Sequence, residues 1–443
     1  VFRHLQIYDP RERVLVGVAD AGLTVAAVVA RLVPGGRRRT AARVDGREWP
    51  RRILLLRLER IGDLLMSAPA IATVRQFAPD AEIDLVVGSW NAAIARLIPG
   101  VDRVETLDAS WLARGSGGGG MRALMKQARG WRTRGYDLAI NFEGDIRSHL
   151  LVALSGATER AGFTMAGGGP LLTRRFEFDP RQHTTENALR LVRETFAALA
   201  APPTGSAQRR AASLDGLEHS TDAQELPPLP DFGERAGERG LAGAAPFRLQ
   251  LPALARERAA ALVGREARVI ALHASGGRAI KQWPPARFAE AAARVAREFD
   301  ATLVLSGSPG DRPIVDEVRA KLPDDIAIID LAGELELPIL GAVLERCLVF
   351  ITGDTGPMHL AAAVGTPTVA VFGLSDPARY APISTRHRVV RIDLPCAPCN
   401  RVRLPPERCQ GHTPDCLEGV TVDAVVRAAL ELREDTARPE ARR

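Results

Sequence analysis

Phe350-Ile-Thr-Gly-Asp-Thr-Gly-Pro-Met-His-Leu-Ala-Ala-Ala-Val-Gly-Thr-Pro-Thr-Val-Ala-Val-Phe-Gly373 reads as strand, turn, helix and strand. The apolar run Cys347 to Ile351 breaks at Gly353 and gives way to a polar turn, Asp354-Thr355-Gly356. Pro357 then opens an apolar segment of helical character, Met358 to Val364, and Thr366 to Phe372 reads as a second strand. That succession is the half-unit of a parallel α/β sheet. Thr355 is a residue type that caps helices, and Pro357 suits a first turn. The free N–H groups of such a turn point out at the carboxyl edge of the sheet, where phosphorylated ligands bind. A well-capped unit with no ligand is the plain alternative.

Upstream, the same alternation recurs. Arg268 to His273, Thr302 to Ser306 and Ile326 to Asp330 read as strands, with helices between them at Trp283 to Phe299, Arg312 to Leu322 and Leu337 to Leu344. Thr421 to Glu431 is a terminal helix and Asp435 to Arg443 a loose tail. Nearer the N-terminus, Arg52 to Leu58 is a continuous apolar strand of the kind buried on both faces. It is followed by the turn Glu59-Arg60-Ile61-Gly62-Asp63 and a helix to Phe77 that Pro69 bends or restarts. Strands at Ala81 to Val87, Arg103 to Leu107, Asp137 to Phe142 and Arg160 to Phe163 continue the pattern. The glycine-rich Ser116 to Gly120 lacks a following Lys-Ser or Lys-Thr and is read as linker, not P-loop. His183 to Leu199 is a helix, after which apolar periodicity disappears in Ala201 to Ala245.

A chain of 443 residues exceeds one ordinary core. The expected division is an N-terminal extension over residues 1–50, one Rossmann-like domain over 51–200, a flexible insertion over 201–245 and a second, more complete Rossmann-like domain over 246–443. The class is α/β, two facing doubly wound domains with the active site in the cleft between them. A net charge of +6 and a pI near 9.4 admit an anionic partner, be it nucleic acid, membrane surface or phosphorylated substrate. Val14 to Val33 is interrupted by Asp20 and two glycines, too broken for a membrane span. With Arg37, Arg38 and Arg39 after it, this helix suits an anionic membrane face, against the simpler reading of a packed helix and a basic loop. No signal peptide is recognised, which sets a cytoplasmic default.

Three spots in order resemble the bacterial ADP-heptose:lipopolysaccharide heptosyltransferase family, glycosyltransferase family 9 with a GT-B fold. They are Ile53-Leu-Leu-Leu-Arg-Leu-Glu-Arg-Ile-Gly-Asp-Leu-Leu-Met-Ser-Ala-Pro-Ala70, His273-Ala-Ser-Gly-Gly-Arg-Ala-Ile-Lys-Gln-Trp-Pro-Pro285 and Gly353-Asp-Thr-Gly-Pro-Met-His-Leu-Ala-Ala-Ala363. The resemblance runs from about Arg52 to Glu431; the residues before Arg52 and the Ala201 to Ala245 insertion lie outside it. It implies an inverting transfer of a heptose or related sugar from an ADP-sugar to a lipopolysaccharide core or other lipid-linked saccharide. Asp63 then matches the catalytic base, its plain alternative being a helix-capping aspartate. Lys281 matches the lysine at the donor phosphates. The donor set is Ser275, Gly276, Asp311, Asp354, Thr355, Gly356, Pro357, Met358 and His359. Within it, Asp354 orders the turn or meets a donor hydroxyl, and Asp311 matches an acid facing the nucleotide ribose. The absence of an Asp-x-Asp pair at a strand end favours catalysis without a metal.

Cys396, Cys399, Cys409 and Cys416, with His412 between the last two, are ligand types for a structural zinc or iron site; free thiols and an incidental disulfide are the alternatives. The expected partners are a nucleotide-sugar donor, a lipid-linked acceptor and an anionic inner-membrane surface, with no nucleic acid. The expected location is the cytoplasm, peripheral to the inner membrane. A nucleotide-sugar epimerase of the same fold and a non-catalytic nucleotide- or membrane-binding module are the competing readings.

Overall fold

The computed structural model of the protein describes residues 10–32, 49–112, 119–200, 247–265 and 267–437. The basic cluster at Arg37 to Arg39, most of the glycine-rich loop, the Ala201 to Ala245 insertion and the end of the tail lie outside the described residues.

Strands β1 (Arg52–Arg57), β2 (Glu82–Val87), β3 (Arg103–Thr106), β4 (Leu138–Asn141), β5 (Glu159–Phe163) and β6 (Arg174–Phe176) form one sheet. Its order is β3-β2-β1-β4-β5-β6, and every pairing is parallel. Strands β7 (Val269–His273), β8 (Thr302–Leu305), β9 (Ile328–Asp330), β10 (Phe350–Gly353), β11 (Thr368–Val371) and β12 (His387–Val390) form a second parallel sheet. Its order is β12-β11-β10-β7-β8-β9, the same doubly wound pattern. The two facing Rossmann-like halves expected from the sequence are therefore present. The second half is not the more complete one, since both sheets have six strands. β6 is hidden in the sequence because Arg174-Arg175-Phe176 has no apolar run, and β12 because it is only partly buried.

The central strands are apolar because helices cover both faces. Ile53 to Leu56 are fully buried in β1 between β2 and β4. The helix Ile61–Phe77 runs through Pro69 without interruption. The terminal helix extends from Val422 to Ala437, and Arg388 ion-pairs with Asp435 there, so the expected tail begins later than Asp435. One hydrophobic cluster joins the halves: Ile71 and Val74 from the first share it with Leu249, Leu340 and Leu360 from the second. His183 adds a hydrogen bond to the Ala381 carbonyl at 3.0 Å.

In each sheet the chain reverses winding direction between two adjacent strands, β1 and β4 in the first, β7 and β10 in the second. Ligands bind outside the carboxyl ends of strands at such points. The loops after these four strands border a single cleft of about 1820 Å³ between the halves.

Candidate active site

The first wall is built at the ends of β1 and β4. Arg57, the last residue of β1, is buried, which a guanidinium tolerates only when its donors are met. It donates to the Phe142 carbonyl at 2.9 Å, ion-pairs with Glu59 at 3.0 Å and lies 3.6 Å from Asp63 Oδ1. Asp63 stands in the first turn of the helix Ile61–Phe77, and its other oxygen accepts the Arg60 N–H at 3.2 Å. The capping role and a cleft-facing carboxylate thus coexist in one residue.

Sequence reasoning missed Glu59 and Glu143. Glu143, just past β4, is buried, and its carboxylate accepts the backbone N–H groups of Leu58 and Glu59, clamping the β1 turn to the β4 loop. Trp90 and Asn91 hold the Glu59 carbonyl from the β2 side at 2.9 and 2.8 Å. Burial, then the charge of Asp63, pushes the Glu59 carboxyl up to about 7 against the pull of Arg57. Burial and the charges of Glu59 and Asp145 push Glu143 well above the carboxylate range. The signal for both residues was position at a strand end, but only the strand order shows that β4 adjoins β1.

The second wall is built at the ends of β7 and β10. Lys281 Nζ and Asp354 Oδ2 form an ion pair of 2.6 Å, and both side chains are largely sheltered. Thr355 occupies the N-cap of the helix Gly356–Val364 without making a side-chain cap bond. The reason is local: Pro357 has no N–H, and the Met358 N–H is taken by the Thr355 carbonyl at 3.2 Å. The expected cap is therefore absent, and Thr355 is among the residues that line the cleft. Ser275 donates to Asp311 Oδ1 at 2.6 Å, while Ser308 donates to Oδ2 from its N–H and hydroxyl at 2.8 and 2.6 Å. Burial alone would raise the Asp311 pKa, but these hydrogen bonds hold it below the ordinary value.

Two of the expected donor residues are not at the cleft. Met358 is fully buried against Ala370 and Phe372. Gly276 is needed for the turn itself, since a Cβ there would lie 2.9 Å from the Lys281 carbonyl. Ser275, Lys281, Asp311, Asp354, Thr355, Gly356, Pro357 and His359 do line the cleft, opposite Asp63.

The walls touch where the two helices begin. A Cβ on Gly356 would lie 2.3 Å from Ile61 Cγ2, and one on Gly62 would lie 3.0 Å from His359 Cδ2. Gly356 is required for this approach and Gly62 leaves His359 little room, and the contact sets the N-termini of the two helices side by side. His359 is buried beneath Gly62, and burial lowers its pKa to about 4, so the imidazole there is neutral.

The family model for glycosyltransferase family 9 (heptosyltransferase) matches residues 123–407. The chain belongs to this family. The matched region takes in Lys281 and Asp354 and starts after Asp63. Lipopolysaccharide heptosyltransferase 2 of Escherichia coli K12 is 28% identical over 346 residues, 77% of this chain and 88% of that protein. Lipopolysaccharide heptosyltransferase 1 of Pseudomonas aeruginosa is 24% identical over 356 residues, 79% of this chain and 86% of its own. The solved structure of Escherichia coli ADP-heptose lps heptosyltransferase II superposes with a TM-score of 0.64 at 21% identity, covering 87% of this chain and 99% of that one. This likeness confirms the GT-B architecture.

For this glycosyltransferase the cysteine segment has a place that its sequence position did not suggest. Asn400 to Leu404, between Cys399 and Cys409, reaches back to line the cleft and brings Arg401 and Arg403 to it. Cys396, Cys399, Cys409 and Cys416 are free thiols around one small cavity of about 20 Å³. Thiolates are suitable donors for zinc or iron. Yet among the described residues no three or more His, Cys, Asp or Glu side chains are placed to hold an ion. Burial, followed by the neighbouring thiols, pushes Cys416 up to about 11, which keeps it protonated. His412 is exposed and points its ring at the Gln410 carbonyl. The expectation of a structural metal gains no support from their arrangement.

Proposed function

We propose that this chain is an inverting glycosyltransferase that moves a heptose, or a related sugar, from an ADP-sugar to a lipopolysaccharide core or another lipid-linked saccharide. The observation that carries this reading is the pairing across one cleft of Asp63 on one wall with Lys281, Asp354 and Thr355 on the other. The first half would take the acceptor and the second the nucleotide-sugar. The names of the relatives support the choice of sugar and acceptor.

In this reading Asp63 accepts the proton of the acceptor hydroxyl as that oxygen attacks the anomeric carbon. Arg57 fixes the carboxylate from behind. Negative charge builds on the departing diphosphate at the other wall. Lys281, the Thr355 hydroxyl and the positive end of the helix Gly356–Val364 meet it there. Asp354 holds Lys281 in place through their ion pair, so little reorganisation is needed. Charge supplied in this way stands in for a divalent cation, and the transfer is metal-independent. Asp311 and Ser275 serve the nucleotide end. Direct attack opposite the leaving group inverts the anomeric centre. The enzyme works in the cytoplasm, at the membrane face that presents a lipid-linked acceptor.

The test is one transfer assay with ADP-heptose and a lipopolysaccharide-core acceptor. Asp63→Asn is expected to lower kcat by about 10²–10⁴-fold, and NMR of the wild-type product should show an anomeric configuration opposite to the donor's. Transfer by the variant within a few fold of wild type would remove Asp63 from its role, and retained configuration would remove direct displacement.

A further inference from the structure

The helix Pro10–Leu32 lies against the first half, and its contacts fix which face it turns outward. Asp20 accepts the Gly168 N–H at 2.6 Å, and Glu12 ion-pairs with Arg147 at 3.5 Å. Val16 presses so close to Gly167 that a Cβ there would come within 2.8 Å. With Asp20, Glu12 and Val16 turned inward, the opposite face carries Val14, Leu15, Val18 and Val25 at 47%, 72%, 61% and 64% exposure. At the helical repeat these four, with Arg11 and Gly22, fall within an arc of about 100°. No helix among the described residues is long and apolar enough to cross a membrane.

We infer that this outward stripe is the surface by which the enzyme docks on an anionic lipid bilayer, with the cleft mouth held at the headgroups. The inference rests on the reading of the acceptor as lipid-linked and deepens it. Charge selects the occupant. Both acidic residues of the helix among residues 11–25 are engaged on the inner side, and the exposed charge on the outer face is Arg11. The chain that continues from the helix, residues 33–48, adds five arginines against two acidic residues as a matter of sequence. An apolar helical face followed in sequence by a basic run is the pattern that partitions into anionic interfaces. Position selects it too. Glu12, Arg13 and Val16 of this same helix line the cleft. A saccharide whose lipid stays in the bilayer has to enter the cleft beside the surface that holds that lipid. A stripe on a helix that itself lines the cleft meets this condition, whereas one on an element remote from the cleft would not.

The experiment is flotation of the full chain with vesicles of phosphatidylcholine alone and of equimolar phosphatidylcholine and phosphatidylglycerol. Wild type should float with the mixed vesicles and much less with the neutral ones. Leu15→Glu combined with Val18→Glu should lower partition about tenfold or more, with thermal unfolding and ADP binding by calorimetry unchanged. A second variant, Val25→Glu, should weaken flotation to a smaller degree without altering the fold. Equal flotation of wild type and the double variant would overturn the inference. So would a wild type that does not float but forms a dimer that the double variant breaks, because the stripe would then be covered by a second copy. Loss of ADP binding in wild type would count against the proposed transfer reaction, and flotation would still report on the stripe.

Discussion

Glu59 shows how a single carboxyl responds to its neighbours. Its folded pKa, about 7, lies above that of an unfolded glutamate, about 4.5. Between those values the folded chain holds a proton that the unfolded chain has released, so stability falls as pH rises through the window. Glu143 acts in the same direction. His273 and His359, both lowered by burial to about 4, act in the opposite one: their contribution is whole above about pH 6.5 and is lost as pH falls. Glu59→Gln isolates the carboxyl. Its melting temperature relative to wild type should improve from about pH 5 to about pH 8, and a difference that stays flat across that range would exclude proton uptake at Glu59. Asp63, Lys281 and the Asp354-Thr355 turn were legible in the sequence because each sits in a short polar turn after an apolar run. Glu59 and Glu143 were not, although they follow strands too. Their roles depend on β4 lying beside β1, and strand order is written in no local pattern. The Lys281–Asp354 pair was likewise invisible, being a contact across the end of one sheet.

At the level of elements, the two helices that start at Ile61 and Gly356 are set by sterics at their first residues. Gly356→Ala puts a methyl group where Ile61 Cγ2 now sits. Overpacking of this kind costs about 1–3 kcal/mol, and adding Ile61→Ala should recover part of that cost. A double-mutant cycle by urea unfolding measures the coupling; strict additivity would mean that the two termini do not press on each other there. Most helices and central strands were legible from apolar runs and periodicity. Met358 was expected at the donor through its backbone amide, and the burial of its side chain in the core is not legible from a motif read in one dimension. The cap expected from Thr355 failed because Pro357 withdrew the donor it would have used. Edge strands β6 and β12 were missed because partial burial relaxes the demand for apolar residues.

Over the whole molecule, two sheets of the same winding order share one hydrophobic cluster. Elements that share a core lose it together. Calorimetry should therefore show one cooperative transition for both halves; two separated transitions would mean that the cluster joining Ile71 to Leu360 contributes little. The two-sheet architecture was legible in the sequence from its alternation of strands and helices, but the shared core was not, since its members lie on helices read one at a time. The contact between Gly62 and Gly356 also bears on how such a molecule could move. Asp63 and Thr355 each stand one residue from it. If one half rocks against the other about that point, it behaves as a fulcrum placed beside the load. The rim of the opening sweeps the widest arc, while Asp63 and Thr355, close to the axis, scarcely change their spacing. Admission of a bulky acceptor and alignment of the chemistry are then mechanically separate, and the absence of two side chains is what separates them.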